Sequence, residues 1–135
     1  MVGYEEKALC IKIANTFEFA GDKKVFPPDF IKAWLQSDTA YRIYTKDFNE
    51  IAQSPVYIFN SFMLESDFNV KTEDNYDDIL YWVGYMVTYM EFLFELSPAD
   101  LWSKYDLIVF ASAYDTLHTL TTKRAAEECD NEFRK

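Results

Sequence analysis

Three glycines, four prolines, two cysteines and one histidine are all that 135 residues hold of these types, and each scarcity removes a class of function. The few glycines form neither a P-loop nor a GxGxxG loop, so no phosphate cradle is encoded. His118, the one histidine, rules out an HExxH zinc motif, and no nucleophile motif ties a serine, cysteine or carboxylate to it. A hydrogen-bonded histidine near a helix boundary is therefore expected rather than a catalytic one, and the chain is not read as an enzyme. Cys10 and Cys129 match no CxxC or Cys/His metal spacing and read as free thiols.

Basic residues are also scarce, at 13 against 23 acidic, for a formal charge of −10 and a pI near 4.4. Ordinary phosphate-backbone binding needs a basic surface to displace counterions, so direct nucleic-acid binding is not expected. Glu65, Asp67, Glu73, Asp74, Asp77 and Asp78 lack the spacing and the glycine of a calcium loop, and neither metal nor cofactor is predicted. There is no tandem repeat, low-complexity segment or linker, so residues 1–135 read as one acidic helical domain. Glu5 and Glu6 stand where a secretory signal would carry basic residues, which predicts a cytoplasmic protein.

What is present is core material, with half of the residues apolar and 19% aromatic. Leu9, Ile13, Ala14 and Phe17 predict a first helix over residues 4–20, with Gly21 as its C-terminal cap. Pro27-Pro28 opens a second helix carrying Phe30, Ile31, Trp34 and Leu35, and Ser37 caps a short piece over 38–45. Ser54-Pro55 starts a helix with Val56, Phe59, Phe62 and Met63 on one face, followed by a charged loop over 65–75. A long helix spans about 76–96, Ser97-Pro98 starts the next, another covers roughly 105–117, and Thr121 or Thr122 caps a last one to about Asn131. The predicted fold is all-α, a compact single-domain bundle of five to seven helices around the long one.

The stretch over 79–96 is long enough to raise a membrane span, but Glu91 and Glu95 lie inside it, which favours a central helix buried by its neighbours. At 100° per residue that helix resolves into a wide apolar surface and a narrow polar stripe of Glu73, Asp77, Gly84, Thr88, Glu91 and Glu95. Trp82 and Met86 are expected to face the core, and the stripe to face solvent. Tyr81, Tyr85 and Tyr89 border the stripe, where rings can pack inward while hydroxyls reach water or a partner; such a row serves more often as core than as a recognition surface.

Between Asp47 and Asp115 there are 13 acidic residues against only Lys71 and Lys104, a local charge of −11. Segregation of this kind can steer a basic partner, or it can be a solubilising face with first-turn carboxylates acting as caps. The candidate partner-binding residues are Asp74, Asp77, Asp78, Tyr81, Tyr85, Tyr89, Glu91 and Glu95.

Four segments, Phe30-Ile31-Lys32-Ala33-Trp34-Leu35, Tyr81-Trp82-Val83-Gly84-Tyr85, Ser97-Pro98-Ala99-Asp100-Leu101 and Leu117-His118-Thr119-Leu120, carry a resemblance. From about Phe30 onward the chain resembles small helical proteins of Gram-positive anaerobes often found beside mobile-element or toxin-like genes. Those proteins continue the aromatic-Trp-aliphatic-Gly-Tyr motif with an arginine and further aromatics, where this chain has Met86-Val87-Thr88-Tyr89-Met90. The resemblance implies a helical bundle and an antitoxin-like or immunity-like setting. The leading expectation is an inhibitory module whose acidic, tyrosine-bordered face occupies the basic cleft of a bacterial effector. The alternatives are a nucleic-acid mimic aimed at a DNA- or RNA-handling enzyme, such as a restriction or CRISPR nuclease, and a structural homo-oligomer that would need an exposed apolar patch.

Overall fold

Side-chain caps open most of the helices in the computed structural model, which describes residues 2–135. Ser37, Asp47, Ser54, Ser97 and Thr121 each accept a hydrogen bond from a backbone N–H of the following turn, satisfying a donor that a helix start leaves free. Proline follows the cap at Pro27, Pro55 and Pro98, where its fixed φ suits a first turn. The helices are α1 (Tyr4–Asp22), α2 (Pro27–Leu35), α3 (Asp38–Tyr44), α4 (Phe48–Ile51), α5 (Pro55–Ser66), α6 (Asp77–Phe94), α7 (Pro98–Lys104), α8 (Tyr114–Leu117) and α9 (Thr122–Glu132), with a 3-10 turn at Phe110–Ala113. The protein is all-α, as its periodicity predicts. Seven of these helices have at least seven residues, while α4 and α8 are single turns. Among the described residues the extended pairings are two isolated bridges, Val25 with Lys71 and Tyr105 with Arg134.

The core is organised on α1 and α6, which make the most extensive helix contact. They run antiparallel, with Gly21 against Asp77 and Gly84 against Phe17 and Ile13. A Cβ at Gly21 would lie 2.5 Å from the Asp77 Cα, and one at Gly84 2.7 Å from the Phe17 Cγ. Gly21 is thus not the cap its position suggests. It lies inside α1, where the missing side chain lets the start of α6 approach.

Around this pair a cluster of rings fills the interior. Phe17 packs edge-on against Phe30 at 4.8 Å and Trp34 at 5.3 Å, and Phe62 closes on Phe30 at 5.3 Å. Such arrangements set the positive ring edge against the negative face, adding to the burial of apolar area. Both cysteines are free and buried. No helix among the described residues is long and apolar enough to cross a membrane.

Two segments differ from the sequence expectation. α6 stops at Phe94, because Glu95 takes a left-handed conformation (φ 54°, ψ 47°) and caps the helix. The helix expected over 105–117 is only the 3-10 turn and α8. Asp106 N–H donates to the Phe133 carbonyl at 2.7 Å and Lys135 N–H to the Lys104 carbonyl at 2.9 Å, so this backbone pairs with the end of the chain instead. The Tyr105 hydroxyl donates to Asp130 at 2.5 Å and secures the same junction.

Candidate functional site

The first half of α6 forms one wall of a groove of about 440 Å³, presenting Asp78, Tyr81, Trp82, Tyr85 and Met86. The opposite wall comes from Tyr114, His118, Leu120, Thr122 and Ala125, and Glu18 of α1 reaches the rim. Residues i and i+4 on a helix lie on one face, which is why Asp78, Trp82 and Met86, and likewise Tyr81 and Tyr85, appear together.

Aromatic packing fixes the shape of this groove. Trp82 stacks on Phe110 at 5.2 Å and meets Tyr114 edge-on at 5.9 Å. Tyr114 in turn stacks on His118 at 4.1 Å with ring planes 7° apart. The His118 Nδ1 lies 2.5 Å from the Tyr114 carbonyl oxygen, and because a carbonyl only accepts, Nδ1 carries the hydrogen. His118 is therefore a held wall of the groove, near a helix end as expected. Trp82 is half-buried, packed on the core at Phe110 while it also lines the wall, and Met86 is buried.

Charge at the rim is uncompensated. The ion pairs among the described residues are Arg42 with Glu50 and Glu65, Lys46 with Glu6, Arg124 with Glu128 and Arg134 with Asp130, and none involves Glu18 or Asp78. Asp74 is exposed near the start of α6, where the Tyr76 hydroxyl donates to it, and Asp77 is half-buried against Gly21. Desolvation, foremost, and the neighbouring Cys10, Tyr89 and Tyr81 raise the Tyr85 pKa, so its phenol stays a neutral donor.

The predicted stripe is divided by α1. Gly84, Thr88 and Glu91 do not face solvent: they are buried, and Gly84 lies in the contact with α1. Thr88 satisfies its hydroxyl internally by donating to the Gly84 carbonyl at 2.8 Å. Glu91 is only 2% exposed, and its Oε2 has no hydrogen-bond partner. Desolvation pushes its carboxyl pKa well up, favouring the neutral form. Tyr89, 7% exposed and stacked on Tyr85 at 6.3 Å, supports the groove from behind. Glu95 is exposed but lies at the far end of α6, in a separate depression with Glu6, Tyr44, Lys46 and Phe92.

Of the eight candidates, Asp78, Tyr81 and Tyr85 line the groove, with Asp74 and Asp77 at the same end of α6. Tyr89 and Glu91 are withdrawn into the core, and Glu95 is elsewhere. Sequence reasoning did not place Glu18 or Tyr114 in the site. The Tyr114–His118 spacing of four was the available signal for the second wall. The walls are aromatic and the rim anionic, an arrangement suited to holding a cationic group between rings and carboxylates. No family model, curated protein or solved structure matches this chain.

Proposed function

We propose that the protein is an inhibitory binding module, cytoplasmic and antitoxin- or immunity-like, that blocks a bacterial effector by seating a basic surface on this groove. The observation that carries this reading is the aromatic groove with two unpaired carboxylates, Glu18 and Asp78, at its rim. Tyrosine and tryptophan supply rigid contact area at interface hot spots, while an acidic chain draws in a basic partner through its long-range field. The resemblance of the segments from Phe30 onward to proteins encoded beside toxin-like genes agrees with such a role. No catalytic step is assigned to the groove. The test is recovery of the partner from the native host with the tagged protein, followed by kinetic binding of the purified pair. An interaction untouched by Asp78→Lys and Tyr85→Ala would place the interface elsewhere.

A second reading, self-association, is favoured by the outer side of α5. Val56, Tyr57 and Leu64 are exposed there, and Leu64 is 88% exposed. Beside Tyr57 and Leu64 a depression of about 400 Å³ holds Arg42 together with Asp38 and Glu65, so one face carries both signs and can complement its own copy across a two-fold axis. Sedimentation of wild type and Leu64→Glu across concentration decides it: a dimer abolished by the substitution supports this reading, and a monomer throughout removes it.

A further inference from the structure

The shape and charge of the groove narrow what its occupant can be. Its volume, about 440 Å³, falls in the range of small-ligand pockets. The accessible lining is more apolar than polar, with rings from Tyr81, Trp82, Tyr85, Tyr114 and His118, so a hydrated, compact charge such as an ammonium would lose water without regaining equivalent contacts. A guanidinium is flat, weakly hydrated and always charged. Its faces stack on aromatic rings and its edge offers parallel donors to carboxylates.

We infer that the groove receives the guanidinium of a single arginine side chain projecting from the partner protein, packed against the aromatic lining and paired at the rim with Asp78 and Glu18. This rests on the inhibitory-binding reading and names its anchor. The Tyr81 and Tyr85 rings form the apolar sides along which the arginine methylene stem lies, and the Trp82–Phe110, Trp82–Tyr114 and Tyr114–His118 contacts fix the wall rings before it arrives. Preformed walls reduce the ordering that binding has to accomplish.

The probe is the blocked tripeptide acetyl-Gly-Arg-Gly-amide, with lysine and citrulline counterparts, titrated into the full chain while the Trp82 indole resonance is followed by NMR. The arginine peptide is expected to shift that resonance with a Kd on the order of millimolar, as befits a fragment. Lysine should bind more weakly and citrulline, isosteric but uncharged, not measurably. Asp78→Asn and Glu18→Gln are both at the rim and should each weaken the arginine peptide by about two- to fivefold, the range of exposed charge pairs. Equal binding of citrulline, or arginine binding indifferent to both substitutions, overturns the assignment. The intact partner separates this from the broader reading: a partner sensitive to Tyr85→Ala, alongside an arginine peptide that leaves Trp82 unmoved, keeps the binding face and removes the arginine anchor.

Discussion

Gly84 lies so close to Phe17 that a methyl group on it would come within 2.7 Å of the ring carbon Cγ and 2.9 Å of the Ile13 carbonyl oxygen. Neither neighbour can yield easily, since Phe17 is fully buried among Phe30 and Trp34 and the carbonyl belongs to α1 itself. Gly84→Ala is therefore expected to destabilise the fold by about 2 kcal/mol, overpacking outweighing the better helix propensity of alanine. Gly3→Ala is the control, because its Cβ would meet only Glu6 Oε1 at 3.6 Å. Urea denaturation of both variants checks the contrast.

Glu91 predicts the direction in which stability changes with pH. Burial raises its carboxyl pKa in the folded protein, so between the unfolded and folded values the native state holds the extra proton. Stability from this group is complete below the unfolded-state pKa and is lost as pH rises through the folded one, by about 1.4 kcal/mol per pH unit within that window. Glu91→Gln, which mimics the neutral acid, should flatten this fall and raise the melting temperature at pH 8. Calorimetry from pH 5 to 8 measures it, and a wild type that gains stability over that range through this residue contradicts the assignment.

The two thiols should be inert in the native state. Cys10 and Cys129 are buried, and desolvation, foremost, pushes each thiol pKa up to about 12, with Glu91 adding to Cys10 and Glu128 to Cys129. Thiolate is the reactive form, so an aromatic disulfide reagent at pH 8 should label neither until denaturant is added. Rapid labelling of either in the folded protein would show that α1 or α9 opens readily.

Carboxylates and rings of the groove should affect binding differently. Asp78→Lys is exposed, should leave the fold intact, and should slow association with a basic partner, an effect that shrinks as salt screens the field. Tyr85→Ala should mainly speed dissociation. Glu91→Lys would not report on binding at all, because it places an unpaired charge in the core and should cost several kcal/mol of stability. Surface plasmon resonance and a melting curve for each variant separate these outcomes.

Periodicity legibly separated helices from their breaks. Ser54-Pro55 and Ser97-Pro98 start α5 and α7 because a hydroxyl cap and a proline each satisfy a local constraint that needs no distant partner. Periodicity also showed that Gly84, Thr88 and Glu91 share a face of α6, but not what lies against it. Small side chains on a polar-looking stripe allowed α1 to approach, so the stripe became a seam and only its ends stayed accessible. The groove was half legible for the same reason. Asp78, Tyr81 and Tyr85 follow from one helix, while Glu18, Tyr114 and His118 arrive from elements distant in sequence.

The pairing of α1 with α6 also imposes an order of events on biosynthesis. Phe17 and Gly84 are 67 positions apart, so the apolar side of the first helix is made long before the surface that covers it. At ribosomal speeds of about 5–20 residues per second that delay lasts roughly 3–13 seconds. During it, Ile13, Phe17 and Ala20 have only the helices up to α5 to shelter them. The nascent chain is then at its stickiest, and slowed translation between α5 and α6 should lower the soluble yield more than slowing anywhere after Phe94.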